Sequence, residues 1–278
     1  MRKHTNTLSH FRKNLTQIEK MRVASQYAAQ VLTMIEPHVK AGILTEKLDE
    51  ICHDYITQEL KARPACLGYQ GFPKSICTSI NHVICHGVPG KKKLKNGDII
   101  NIDVTVEKDG FIGDTSRMFI VGKKPSAAAK KVCQVAQECL YLGIQLAKPG
   151  NNINAIGKII EQHATANHCS TVHEFCGHGI GQVMHENGFQ VLHYDQQQSP
   201  GQLLEPGLTF TIEPMINLGS RHIKQLPDGW TVVTKDHTLS AQWEHTILIK
   251  EEGAPEILTL RADENIEDIF SITAKTLV

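Results

Sequence analysis

The sequence predicts one α/β (α+β) domain with internal pseudo-two-fold symmetry, made of two helix–helix–antiparallel-strand halves with ligands at their seam. Three observations carry this expectation. KLKNGDIINID places Asp103 six residues after Gly97, and LLEPGLTFTIE places Glu213 six residues after Gly207. Leu94 and Leu204 each lie three residues before their glycine. Upstream, VKAG (39–42) and AKPG (147–150) each separate two segments of helical periodicity. Several matches in the same order indicate a duplicated unit of about 16–123 and 127–250 within a domain of 16–262. An N-terminal extension (1–15) and a C-terminal tail (263–278) flank it.

The elements follow from periodicity and turn chemistry. VASQYAAQVLTMI repeats its apolar residues at helical spacing, and LTEKLDEICHDYITQEL forms a second amphipathic helix with Thr45 as its cap. DIINIDVTV (98–106) alternates and is β-branched, which predicts a strand. KDG (108–110) makes a hairpin turn, and FIGDTSRMFIV returns as the partner. In the second half, helices are expected from Ala127 to Leu146 and from Ile153 to about Asn167. Strands follow near 171–175 and at TFTIEPMINL (209–218).

Composition narrows the function classes. Lysine plus arginine and aspartate plus glutamate both total 29, so no overall field favours nucleic acid or a membrane surface. No apolar run approaches the roughly 20 residues of a membrane span. The eight cysteines include no C-x-x-C pair, which argues against zinc knuckles and thioredoxin-like motifs. The basic opening MRKHTNTLSHFRKN lacks the hydrophobic core of a signal peptide. A cytoplasmic protein with reduced thiols is expected, an organellar presequence being the alternative.

EFCGHGIGQVMHE (174–186) holds His178 and His185 seven residues apart. It lacks the H-E-x-x-H order of helical zinc proteases, and its glycines miss the dinucleotide fingerprint. Alone, the segment leaves ligand, catalytic and structural roles open. The acids decide more. Asp103 and Glu213 each interrupt an apolar strand, where an unpaired carboxylate is costly. Asp114 in GFIGDTSRMF and Glu244 in SAQWEHTILI add a second acid to each half. The hairpin sets residue 114–116 opposite Asp103, and a one-residue bulge near Gly110 would aim Asp103 and Asp114 to one side. Four acids and a histidine need cations. Oxygen-rich ligation suits manganese, iron(II) or cobalt, with zinc less exclusively, in a pair roughly 3.5–4 Å apart.

CHGVPG with His86, NIDVT with Asp103, GDTSRMF with Asp114, CGHGIG with His178, FTIEPM with Glu213 and AQWEHT with Glu244 together closely resemble the type I methionine aminopeptidases. The resemblance runs from about residue 16 to 262 with every motif in order. It implies the "pita-bread" fold around a dinuclear metal site and removal of the initiator methionine from nascent proteins when the next side chain is small. Asp103, Asp114, His178, Glu213 and Glu244 would be ligands to two divalent ions, with Asp114 and Glu244 bridging. His86 and His185 would contact substrate. Cys66, Tyr69, Phe72, Cys77, Met184 and Trp230 would line the methionine pocket, whose soft sulfur atoms suit a thioether. Phe72 stands where tyrosine is common, Met184 where phenylalanine is common, and ENGFQV after His185 is one residue longer than usual and lacks its proline.

The implied mechanism is attack by a water activated between two ions, with Glu213 shuttling its proton, His185 donating to the carbonyl oxygen and His86 at the scissile nitrogen. The expected partners are N-terminal methionine peptides met near the ribosome, with the protein acting as a monomer and requiring neither nucleic acid nor membrane. Two rivals are a proline-specific peptidase of the same fold, which usually carries a large N-terminal domain, and a non-enzymatic binding protein, which would have lost ligands.

Overall fold

The computed structural model describes residues 7–196 and 201–274. Residues 1–6 of the expected extension and 275–278 of the expected tail lie outside the described residues. Helix α1 (Leu15–Ile35) starts at a capping box. Asn14 Oδ1 accepts from the Gln17 amide at 3.0 Å, and Gln17 Oε1 accepts from the Asn14 amide at 2.9 Å. Helix α2 (Thr45–Asp54) runs on into a π turn, Tyr55–Glu59. Thr45 is the first residue of α2 rather than its cap. Its hydroxyl donates to the Gly90 carbonyl at 3.0 Å and accepts from the Gly90 amide at 2.9 Å, so it ties α2 to the loop after His86.

Strands β1 (Arg63–Pro64), β2 (Cys77–Ile80) and β3 (Val83–Cys85) precede the hairpin of β4 (Ile99–Lys108) and β5 (Phe111–Ile120). Asp109 and Gly110 turn with φ of 51° and 79°, the paired left-handed conformation that suits the twist of a two-residue hairpin. The register runs unbroken from Ile99 opposite Ile120 to Lys108 opposite Phe111, so the expected bulge is absent. None is needed. Asp103 lies opposite Ser116 and Thr105 opposite Asp114, and residues two apart on a strand share a face. The two aspartates are therefore diagonal neighbours on one face.

The second half contains α3 (Ala127–Leu146), α4 (Asn154–Ala166), β6 (Ser170–Thr171), β7 (Gly177–Gly179) and β8 (Glu186–Val191). Next come β9 (Thr209–Ile212), β10 (Met215–Asn217), β11 (Ile223–Gln225), β12 (Val232–Thr234) and β13 (Ser240–Gln242). The described chain closes with β14 (His245–Leu248), β15 (Glu256–Ile257) and α5 (Ile266–Ser271). The strand expected at 171–175 is reduced to Ser170–Thr171. The strand expected at 209–218 is two, broken at Glu213–Pro214, where proline has no N–H for a ladder. Strand β9 belongs to a five-stranded sheet, β15-β14-β9-β7-β8, and β10 to a separate sheet, β13-β10-β6. Strands β1 and β2 share one edge of β4, with β5 on the other, and β11-β12-β3 form the remaining sheet.

The repeat is visible in backbone bonds. Gly42 N–H donates to Leu94 O at 2.8 Å, and Leu94 N–H to Ile43 O at 2.9 Å. In the other half Gly150 N–H donates to Leu204 O, and Leu204 N–H to Asn151 O, both at 2.8 Å. Gly97 and Gly207 share φ values of 91° and 87°, a region costly for side-chain-bearing residues. Each half has its own core. Val31, Leu32 and Leu48 of the helices pack on Ile100, Ile102 and Val104 in the first; Val132, Leu140, Ile156 and Ile160 pack with Phe210 and Ile212 in the second. Each such buried aliphatic contributes roughly 1.5–3 kcal/mol relative to exposure. A third cluster, with Met21, Phe72, Ile112, Ile180, Met184 and Leu248, joins the halves at the seam.

Candidate metal and substrate site

The seam opens into a cavity of about 330 Å³. Every residue expected at the site lines it: Asp103, Asp114, His178, Glu213, Glu244, His86, His185, Cys66, Tyr69, Phe72, Cys77, Met184 and Trp230. The lining also includes Gln70 and Thr105, which were not foreseen. Thr105 was within reach of sequence reasoning, since it follows Asp103 by two residues and so shares its face. Gln70 carried no signal; its backbone turns with φ of 47° inside LGYQGF.

The acidic floor is assembled from both halves. Glu244, between β13 and β14, bridges to β5, with its N–H donating to Ser116 O at 3.1 Å. Thr115 Oγ1 donates to Glu244 O at 2.7 Å, and Thr246 Oγ1 to Asp114 O at 2.7 Å, so the two strands are stitched across the seam. Thr105 Oγ1 donates to Asp114 Oδ1 at 2.8 Å, Thr211 Oγ1 to Glu213 Oε1 at 2.8 Å, and Gln242 Nε2 to Glu213 Oε2 at 3.1 Å. The Pro214 break leaves Glu213 at the end of β9, where it enters the cavity.

His178 Nε2 lies 3.5 Å from Glu213 Oε1 and 3.8 Å from Asp114 Oδ2. Its Nδ1 is 3.2 Å from Gly179 O, a partner that holds the Nδ1–H tautomer and leaves the Nε2 lone pair facing the acids. Donor atoms of Asp114, His178 and Glu244 all fall within 4.8 Å of one another. Burial raises the pKa of Asp114 to about 7. Burial and repulsion from Asp114 raise Glu213 to about 8, and the same two causes hold Asp103 and Glu244 well above the carboxylate range. Burial lowers His178 to about 3, so its imidazole is neutral and ligand-ready. Four clustered carboxylates ionise together only with cations among them, and two divalent ions match their four charges. The donor set fits a pair of divalent metal ions.

The other wall is apolar. Phe72 meets Trp230 edge to face at 5.1 Å between centroids. Cys77 lies opposite Asp103 in the β2–β4 ladder, and Cys66 Sγ is 3.2 Å from Thr105 Oγ1, which places both sulfurs where slot and acids meet. His86 leaves β3 with φ of 55° and packs against Phe175 at 5.3 Å. Gln70 Nε2 donates to Tyr69 Oη at 3.2 Å, and the Tyr69 O–H is 2.7 Å from His185 Nδ1. With Tyr69 donating to Nδ1, the His185 proton resides on Nε2. Burial lowers the pKa of both His185 and His86, the latter to about 4, so both imidazoles are neutral near pH 7.

The model of metallopeptidase family M24 matches residues 19–251. The chain is also 56% identical over 255 residues to the methionine aminopeptidase of Escherichia coli (strain K12), spanning 91% of this chain and 95% of that one. The chain belongs to metallopeptidase family M24, among its methionine aminopeptidases. Its fold agrees: methionine aminopeptidase from Rickettsia prowazekii superposes with a TM-score of 0.86 at 46% identity, covering 90% of this chain and 99% of that one. Prolidase from Pyrococcus furiosus, at 20% identity and a TM-score of 0.67, shares the fold alone; the match covers 90% of this chain and 65% of the prolidase. Membership brings the pita-bread architecture and divalent-metal-dependent peptide hydrolysis. Among the described residues no helix is long and apolar enough to cross a membrane.

Proposed function

We propose that this chain removes the N-terminal initiator methionine from nascent proteins when the second residue is small. The observation that carries the proposal is one cavity joining an apolar, sulfur-lined slot to a cluster of four carboxylates and a neutral imidazole. Asp103, Asp114, His178, Glu213 and Glu244 would hold two divalent ions, with Asp114 and Glu244 shared. The chemistry such ions supply is Lewis acidity, which polarises the scissile carbonyl and makes a water acidic enough to lose its proton near neutral pH.

The chain's own side chains would do the rest. Phe72, Trp230, Met184, Tyr69, Cys66 and Cys77 enclose the methionine thioether and exclude water. Glu213 accepts the proton of the attacking water and returns it to the departing amine. His185 donates from Nε2 to the carbonyl oxygen as charge builds there, in the tautomer that Tyr69 sets. His86 meets the scissile nitrogen. The substrate's free amine lies against the acids, which confines cleavage to the terminus. Tyr69 and His86 crowd the exit, so a bulky second side chain is excluded.

In this reading the protein works as a monomer in the cytoplasm, near the ribosome, where methionine termini emerge. A peptide panel tests the activity with metal-stripped and metal-restored protein. Met-Ala and Met-Gly peptides should be cleaved, whereas Met-Lys, Met-Phe and X-Pro peptides should not. Equal rates across the panel, or preference for X-Pro, would overturn the proposal.

A further inference from the structure

Beside His178 of β7 and His185 at the entry to β8 lies a buried ion pair, one partner of which comes from outside the family-matched region. Residues 7–14 form a strap laid along the second half. Leu8 is buried in that half's core, and Phe11 packs against Phe189 at 5.5 Å between centroids. The Lys13 N–H donates to Gly207 O at 2.7 Å, and Arg12 Nε to Pro206 O at 2.7 Å. At the strap's end, Lys13 Nζ donates to Glu186 Oε1 at 2.6 Å, to Glu186 Oε2 at 2.7 Å and to Phe11 O at 2.8 Å. All three ammonium protons are used. The Lys13 side chain is 6% exposed and that of Glu186 12%, so the pair is shielded from water.

Its placement is the point. Glu186 follows His185 directly and opens β8, pairing with Gly179, the residue after His178. The β7–β8 register jumps there, from His178 opposite Gln190 to Gly179 opposite Glu186, so Asn187–Phe189 bulge out of the ladder within β8. The longer ENGFQV segment is absorbed in this jump, and backbone bonds to β7 do not hold it. The ion pair anchors its first end at Glu186, while Phe189, buried against Phe11 and Phe210, anchors the other. A Cβ on Gly181 would stand 2.8 Å from Lys13 Cε and 2.9 Å from Glu186 Oε1; one on Gly179 would stand 2.8 Å from Glu186 Oε2. The glycines of GHGIG therefore leave the room in which the pair presses on the backbone between the two histidines.

We propose that Lys13 and Glu186 are positioning residues that fix the His185 imidazole against Tyr69, making the N-terminal strap a working part of the active site. The inference rests on the reading of His185 as the donor to the carbonyl oxygen. A displacement of about 1 Å in such a donor typically costs up to 10²-fold in rate. With three acceptors around one buried ammonium, two of them oxygens of Glu186, the Glu186 carboxylate is anchored by charge-assisted bonds stronger than neutral ones.

The test is a double-mutant cycle. Lys13→Met/Glu186→Met keeps volume and removes both charges together. Glu186→Gln, nearly isosteric, is measured beside it in case the first variant does not fold. Each is made in wild-type and His185→Ala backgrounds, with kcat and KM on a Met-Ala peptide, Tm and metal content by elemental analysis. The expected result is folded protein with full metal, kcat down about 10- to 100-fold with KM little changed, and less than a twofold further loss when His185 is already alanine. Retained kcat, the same fold-loss in both backgrounds, or lost metal would overturn it, since a merely structural brace predicts one of those. If His185→Ala alone turns over normally, the reading of His185 falls and this inference with it. If His185→Ala is slow but the pair variants are not, only the inference falls.

Discussion

His178 and His185 have ring centroids 4.0 Å apart, yet their nitrogens have different partners. His178 Nε2 faces Glu213 and Asp114, whereas His185 Nδ1 meets Tyr69. Their substitutions should separate. His178→Ala removes a neutral imidazole from the acids, so metal affinity should fall and excess metal should rescue part of the activity. His185→Ala should keep its metal and lose about 10²–10³ in turnover, with no rescue. Metal titration beside turnover checks both, and equal loss of metal in the two variants would contradict the division. At this scale the sequence was informative where chemistry forced its hand. An acid inside an apolar strand, as Asp103 in IINIDVTV, needs a partner whatever the fold, and its face follows from the two-residue period. Gln70 and Lys13 were not legible, because each acts through a contact distant in sequence (Gln70 by way of Tyr69 on His185, Lys13 on Glu186) that only the folded chain creates.

Elements were legible by type and less so at their ends. The 98–121 hairpin was read correctly because Asp-Gly at the turn and alternation on both arms agree. The bulge expected near Gly110 to aim Asp103 and Asp114 to one side is not required, because a diagonal relation in a regular ladder already puts them on one face. The break at Glu213–Pro214 was hidden in one apolar run, though proline was the available cue. Thr45 fits a cap by residue type, but Gly90 claims its hydroxyl. The last elements make their own prediction. Glu264, just before α5, accepts from His245 Nε2 at 3.2 Å and pairs with Arg261, both buried. Burial alone would raise its pKa, but His245 and Arg261 outweigh burial and lower it to about 2. A carboxyl whose folded pKa lies below its unfolded value near 4.5 stabilises the fold above that pH, and the contribution is lost as pH falls toward 2. The contribution is therefore present at neutral pH. Glu264→Gln should lower Tm by several degrees at pH 7, and the gap from wild type should narrow steadily below pH 5. A gap independent of pH would show that packing, not charge, holds this segment.

Across the whole molecule, duplication explains why the site lies where it does. Each half buries its own core, and the acids that each half carries on its strands meet only where the halves join. Glu244 bonds to the backbone of Ser116 while Thr246 bonds to that of Asp114, so neither half completes the centre alone. The repeat of Gly97–Asp103 and Gly207–Glu213 was enough to place this seam, but the cavity's shape was not readable, because Tyr69, His86 and Trp230 come from irregular segments without periodicity. The central claim is that the four carboxylates and His178 form a centre for two divalent ions on which peptide cleavage depends. Calorimetric titration of chelator-stripped protein with manganese, following Met-Ala cleavage at each addition, tests it most directly. The account predicts a folded, inactive starting protein, uptake saturating at two ions per chain, and turnover appearing as they bind. Full turnover in protein shown by elemental analysis to hold no divalent metal would contradict it.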